Sequence, residues 1–458
     1  MTLHNSVSAR SIAALLLLFA AATPLGAQSD DGWTPLFNGT DLTGWRKLGG
    51  DAEYSVENGV LVGLSKPSRQ NTFLVTEKSY DDFVLELEFK VDSKTNSGIQ
   101  VRSEADPEKG RVFGYQIEID PSERAWTGGL YDEARRGWLY PLDVNQEARA
   151  AFRSGEWNTF RIECLGPSIR SWLNGVPATH LLDDMTSEGF IGLQVHAPYP
   201  GVADDGQKVW WRNLRIKTEG LEPATHDASQ FVANRLVNDV SAAEQAQGWS
   251  SIFDGKSTDG WRPVHGEAGA LGPRWSVEDG ALVVGGDSSY SDGRDVVHAS
   301  ELGAFELQLE FRLAQGANSG IKYFVTEEYH PGSQHGVGLE YQLLDDSRHP
   351  DAQGERGELR KLGALYDLLA ADKQGRFVRP PGQWNHARIV AYADGRIEHW
   401  LNHRKVLDVE RHSAAFSELV AGSKYAKYSG FGHWTKGRIL LQDHGDKVEF
   451  RSIKLREL

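Results

Sequence analysis

The chain is written twice, and that repetition limits it to folds that can be built as two similar units. Gly32-Trp33-Thr-Pro-Leu-Phe37-Asn-Gly39 and Trp45 return as Gly248-Trp249-Ser-Ser-Ile-Phe253-Asp-Gly255 and Trp261. Asn96-Ser97-Gly98-Ile99 returns as Asn318-Ser319-Gly320-Ile321, and Gly128-Gly-Leu-Tyr131-Asp132 as Gly363-Ala-Leu-Tyr366-Asp367. Trp157-Asn158, Trp172-Leu-Asn174 and Gln194-Val-His196 match Trp384-Asn385, Trp400-Leu-Asn402 and Gln442-Asp-His444 in the same order. Copy one spans 32–217 and copy two 248–458. The stretch 218–247 reads as a linker, with Pro223, many polar residues and a turn or two of helix in the Ala/Glu/Gln-rich run Ser241–Gln247. Each copy has chain enough for its own core, so the copies are expected to be separable.

Each copy reads as strands. Phe83, Leu85, Leu87, Phe89 and Val91 alternate with polar residues, as do Phe305, Leu307, Leu309, Phe311 and Leu313. Period-two alternation sets one face on a core and the other towards water. Further short strands are predicted at 98–103, 115–120, 157–164 and 189–196, with counterparts in copy two. In the last strand Val448 and Phe450 share a parity that Ile453 and Leu455 do not, which predicts a bulge near Arg451–Ser452. No long segment has helical periodicity. Many short antiparallel strands in each copy predict an all-β chain of two tandem sandwiches or jelly rolls.

The formal charge narrows the partners. Lys and Arg total 49 against 64 Asp and Glu, a net charge of −15 that repels phosphate backbones and argues against nucleic acid. The single cysteine, Cys164, permits no intrachain disulfide and no Cys-based zinc cluster, and is expected to be buried and inert. Arg10, the short apolar run Ile12–Ala22 and the small residues ending at Ala27 have the form of a secretory signal peptide over 1–27. No run is long enough to span a bilayer, and no cysteine follows the leader to carry a lipid, so the mature chain is expected to be secreted or periplasmic.

Candidate chemistry lies on the polar parity of the inner strands. In copy two, Lys322, Glu340, Gln342, Gln442 and His444 would share one groove, bordered by Asp345, Tyr366 and Asp443. Copy one offers Arg102, Gln116, Glu118, Asp120, Tyr131, Gln194 and His196 at corresponding places. Its string Glu118-Ile-Asp120-Pro-Ser-Glu123 resembles the signature of laminarinase-type retaining glycosidases, provided a bulge turns Glu123 inward. The spacing of His330, His335 and His349 fits no zinc pattern, so no metal is expected. The repeated tryptophans are read as packing groups.

Copy two resembles the 3-keto-disaccharide hydrolase domain. The likeness rests on Asn318-Ser-Gly-Ile321, Glu340-Tyr-Gln-Leu-Leu-Asp345, Gly363-Ala-Leu-Tyr-Asp367, Trp384-Asn-His-Ala-Arg388, Glu398-His-Trp-Leu-Asn402 and Leu441-Gln-Asp-His-Gly-Asp446. His403 departs from it, standing where the family usually has Gly, and copy one resembles the family less closely. The resemblance implies two tandem concanavalin/laminarinase-like jelly-roll β-sandwiches that cleave 3-keto-glycosides without a cofactor, downstream of a sugar 3-dehydrogenase. On that chemistry Glu340 or His444 is the base, Lys322 with Gln342 holds the developing oxyanion, and Tyr366 is the acid. The alternatives are a non-catalytic carbohydrate-binding pair and a laminarinase-like glycosidase on Glu118 and Glu123.

Overall fold

The computed structural model describes residues 1, 32–200, 202–225, 229–285, 293–329 and 334–458. The leader read over 1–27 and His330 lie outside the described residues. In copy one the alternating residues Phe83 to Val91 point into a core with Ile99, Tyr115, Ile117, Phe160 and Trp211. The opposite parity faces outward and is neutralised in place: Glu86 takes Arg161 at 2.8 Å and Arg215 at 2.7 Å, and Glu88 takes Arg212 at 2.6 Å. Copy two repeats the scheme, Phe305 to Leu313 packing on Ile321, Tyr341, Leu343 and Phe450. Each fully buried side chain of this kind is worth about 1.5–3 kcal/mol, which is why alternation fixes the inward face.

Each copy is a sandwich of two antiparallel-rich sheets. The outer sheets have nine and eight strands, and the inner sheets seven and five. The inner strands carry the central residues of both sites. Copy one has β1 (Trp45–Gly49), β2 (Thr72–Tyr80), β3 (Ser97–Ala105), β4 (Val112–Ile119), β5 (Leu130–Glu133), β6 (Gly137–Tyr140) and β7 (Gly189–Val195), in the spatial order β6-β5-β4-β3-β7-β2-β1. Copy two has β8 (Trp261–Pro263), β9 (Val296–Leu302), β10 (Asn318–Thr326), β11 (Val337–Leu344) and β12 (Gly437–Leu441), ordered β8-β9-β12-β10-β11.

The apolar slip in the last strand is a bulge, as its parity predicts. Ser452 has φ 52°, and pairing with the neighbouring strand shifts register there. Cys164 is buried, and burial pushes its thiol up to about 12. Trp45 and Trp261 are both buried, and each donates its indole N–H to a backbone carbonyl nine residues earlier, Leu36 and Ile252. The longest α-helix among the described residues was not legible: α2 (Ala414–Ala421) is capped by Ser413 and buries only Phe416, so it shows no apolar stripe. It follows α1 (Ala242–Ala246), the helix expected in the Ser241–Gln247 run, which Ser241 and Glu244 close with a capping box.

The segment between the copies is not a free tether. Ala233–Asn234 pairs in parallel with the copy-one strand Val176–Leu182, and the Phe231 carbonyl accepts from Tyr140 Oη at 2.8 Å. Arg235 reaches Glu310 of copy two at 3.0 Å, and Asn238 exchanges hydrogen bonds with Ser452. Phe377 of copy two meets Trp126 of copy one at 5.7 Å, with Arg404 over Phe377 and ion-paired to Asp143 at 2.9 Å. His403 belongs to this joint. It sits in the left-handed region (φ 66°), where the equivalent turn of copy one has Gly175, and its ring packs against Phe231 at 5.5 Å. Contact with Phe231 offsets a backbone strain of about 1 kcal/mol or more.

Glu244 Oε1 and Lys454 Nζ, each 4% exposed, meet at 2.9 Å beneath α1. Breaking a buried pair on one side leaves an uncompensated charge. Glu244→Ala is therefore expected to destabilise copy two by about 3–5 kcal/mol in urea unfolding, and adding Lys454→Met to recover most of it. A double variant no more stable than the single one would show that the charge is not what matters.

Candidate functional site

The pairing of β10 with β11 sets Lys322 directly opposite Glu340 and Gly320 opposite Gln342. Each residue of Asn318-Ser319-Gly320-Ile321 then has a task. Asn318 Oδ1 accepts from Gln342 Nε2 at 2.8 Å, Ser319 Oγ donates to the Gln442 carbonyl at 2.8 Å, and Ile321 enters the core. Gly320 leaves room, because a Cβ there would overlap Glu340 Oε1. The Gly363–Tyr366 stretch lies along the other edge of β11, Tyr366 N donating to the Glu340 carbonyl at 2.9 Å.

These elements enclose a cavity of about 300 Å³ that brings together Lys322, Glu340, Gln342, Tyr366, Gln442 and His444. Its remaining wall was missed by reading strands alone: Lys424, Tyr425, Lys427 and Tyr428 come from a turn after α2, and His335 from the loop before β11. The signal was the Lys-Tyr-Ala-Lys-Tyr run, whose three-residue spacing stacks like groups on one face of a 3₁₀ turn. Asp345 and Asp443 do not line the cavity. Asp345 accepts from Gly316 N, Ser347 and Arg348, and Asp443 is in a buried ion pair with Arg274 at 2.7 Å.

Glu340 is 6% exposed, and among the described residues no side chain or backbone group hydrogen-bonds its carboxylate. Burial raises its pKa above the ordinary 4.5, only partly countered by Lys322 and Lys424. Lys322 is fixed by Asp295 at 3.3 Å and the Gly336 carbonyl at 3.2 Å. Burial alone would raise Asp295, but Lys322 and His335 hold it below the usual carboxylate range. Burial and then Glu340 push Tyr366 up to about 12, so it stays protonated, while burial lowers His444, which stays neutral. The cavity thus holds an under-bonded base, fixed cations and a phenol proton donor.

Copy one has a related cavity of about 380 Å³ containing Gln116, Glu118, Tyr131, Gln194 and His196. Here Gln100 stands opposite Gln116, and Gly98 opposite Glu118. Aligned on the shared glycine, copy one carries Gln116 where copy two has Glu340, Glu118 where it has Gln342, and Gln100 where it has Lys322. Arg102 therefore answers to Phe324, not Lys322: both sit at a bulge with positive φ, 45° and 50°. Arg102 is buried, ion-paired to Asp82 at 2.8 Å, and outside the cavity. Asp120 is also outside, held by Arg124 at 2.7 Å, and Glu123 is exposed, so the structure does not put the carboxylates of the laminarinase-type string into one groove. Burial pushes Glu118 up to about 7, with Arg124 opposing and Asp120 adding. A larger groove of about 1170 Å³ crosses the outer face of copy one, but its carboxylates Glu86 and Glu88 are already neutralised by arginines.

Residues 32–217 and 248–456 both match the family described as the 3-keto-alpha-glucoside-1,2-lyase-like domain. A 3-keto-disaccharide hydrolase of Bacteroides thetaiotaomicron is 32% identical over 238 residues, 46% of this chain and 79% of that protein. Two crystal structures from Parabacteroides distasonis, both described as candidate glycosyl hydrolases, are similar as well. One shares 32% identity over 49% of this chain and 100% of its own, with a TM-score of 0.43. The other shares 29% over 43% and 99%, with a TM-score of 0.34.

The close approach at Gly320 can be tested. Gly320→Ala is expected to push the Glu340 carboxylate off its seat and change its titration in ¹³C NMR, whereas Gly98→Ala in copy one leaves that signal alone. An unchanged Glu340 titration in Gly320→Ala would contradict the geometry.

Proposed function

Since the chain belongs to the 3-keto-alpha-glucoside-1,2-lyase-like family in both of its copies, we propose that copy two cleaves the glycosidic bond of 3-keto-glycosides. The observation that carries this reading is the buried Glu340 carboxylate, which has no hydrogen-bond donor among the described residues and lies in a cavity with Lys322 and Lys424. A ketone at C3 acidifies the proton on C2. Glu340 removes that proton, and the electron pair moves onto the C3 oxygen as an enolate, which Lys322 and Lys424 stabilise. The enolate collapses, C1 loses its substituent, and Tyr366 protonates the departing oxygen. Water then adds to the enone: its oxygen bonds C1 and a proton returns to C2. Gln342 and Gln442 orient the sugar. The ketone itself requires a separate sugar oxidoreductase upstream. The leader-like sequence over 1–27 supports an exported protein as the setting for this chemistry.

The base works only when ionised, and its pKa lies above the ordinary carboxylate value. Activity is therefore expected to rise with pH along a limb lying above the ordinary carboxylate range, with no loss from Tyr366 until far into the alkaline range. Glu340→Gln should lower kcat by about 10²–10⁴-fold, abolish that limb and leave the melting temperature near wild type. If Glu340→Gln keeps full activity, Glu340 is not the base and the role passes to His444.

A further inference from the structure

The cavity of copy one is not closed by copy one. Besides Glu118, Tyr131, Trp138 and Gln194 it is lined by Phe377, Arg379 and Asn402, all from copy two. The loop bearing these residues is pinned from behind: Asn385 Oδ1 accepts from Arg379 N at 2.9 Å, and Asn402 Nδ2 donates to the Phe377 carbonyl at 2.7 Å. The same scaffold recurs in copy one, where Asn158 and Asn174 hold Arg153 and Ala151, but there Arg153 is exposed. One repeated loop is thus spent on solvent in the first copy and on a cavity wall in the second.

We propose that the copy-one cavity is a second saccharide site, completed across the joint by copy two, and that it takes an acidic sugar whose carboxylate is bound by Arg379. The other two arginines of the cavity are already committed. Arg124 holds Asp120 at 2.7 Å, and Arg136 is shared between Asp132 and Asp183. Arg379 donates to the Trp384 carbonyl at 2.9 Å and, among the described residues, has no carboxylate within ion-pair distance. Glu310 and Asp132 act on it only from further off, their oxygens taken by Arg451 and Arg235, and by Arg135 and Arg136. Burial lowers Arg379 to about 9, a cost that a bound anion removes.

The rest of the cavity suits a sugar ring. Gln194 is 1% exposed, and among the described residues neither its amide nitrogen nor its oxygen has a hydrogen-bond partner, which leaves a donor and an acceptor facing a sugar's hydroxyls. Trp138, edge-on to Tyr131 at 5.2 Å, and Phe377 add aromatic groups to the cavity wall. Gln100 in place of Lys322 removes the cation on which the cleavage proposed for copy two relies, so this site binds without that chemistry. The inference does not rest on the copy-two reading.

Calorimetry on the full chain with digalacturonic acid and with the matching neutral disaccharide tests it. The acidic disaccharide is expected to bind, to weaken as salt is raised, and to lose at least tenfold in affinity in Arg379→Gln but not in Arg153→Gln. Arg379→Lys, which keeps the charge, should restore part of the loss even if Arg379→Gln lowers the melting temperature. Equal affinity for the neutral sugar, or binding untouched by Arg379→Gln and lost in Glu340→Gln, would overturn the proposal.

Discussion

Everything at the two sites depends on the register of one strand pair in each copy. Pairing β10 with β11 so that Gly320 faces Gln342 sets Lys322 across from Glu340, and the same pairing in copy one sets Gln100 across from Gln116. A slip of one residue would turn Glu340 into the core and Tyr341 into the cavity. The register is held from both sides, by Ile321, Tyr341 and Leu343 in the core and by the Asn318–Gln342 hydrogen bond on the cavity face. Glycine at position 320 is required because the carboxylate lies directly over its backbone. Burial then makes the base: a carboxylate that is kept from water and given no donor holds its proton more tightly and abstracts one more effectively near neutral pH.

The two copies share this register and differ in the residues it brings together. Copy one keeps the scaffold, including the Asn96, Ser97 and Gly98 contacts, but exchanges the glutamate and glutamine positions and loses the lysine. Its cavity is also covered differently. In copy two the wall comes from its own Lys424–Tyr428 turn, whereas in copy one it comes from the neighbouring copy through Phe377 and Arg379. The joint that makes this possible is dense, with Arg235–Glu310, Arg404–Asp143 and the His403–Phe231 contact all inside it. The odd residue of copy two, His403, thus packs on the segment that joins the copies.

What the sequence disclosed and what it hid divide along a physical line. Alternation revealed the strands, the core face and the shared groove of Glu340, Gln342 and Lys322, because a half-buried strand must alternate. The bulge at Ser452 was legible since the apolar phase slips there. The bulges at Arg102 and Phe324 were not, because period two alone puts Arg102 on the face of Gln100 and Phe324 on that of Lys322, and only the backbone shows the break. Asp345 and Asp443 also looked available, but their partners Gly316 and Arg274 are brought to them only by the fold. Lys424, Tyr425 and Arg379 come from turns and from the joint, where no periodicity links a residue to the cavity it lines.

The central claim is that the Glu340 cavity breaks a glycosidic bond through the proton on C2. The most direct measurement is NMR of the monosaccharide released from a 3-keto disaccharide in D₂O, taken at early times against an enzyme-free control. The account predicts one deuterium at C2 of the released keto sugar, and no cleavage of the unoxidised parent. Release of a keto sugar with its original C2 proton intact, or equal cleavage of the parent, would contradict it.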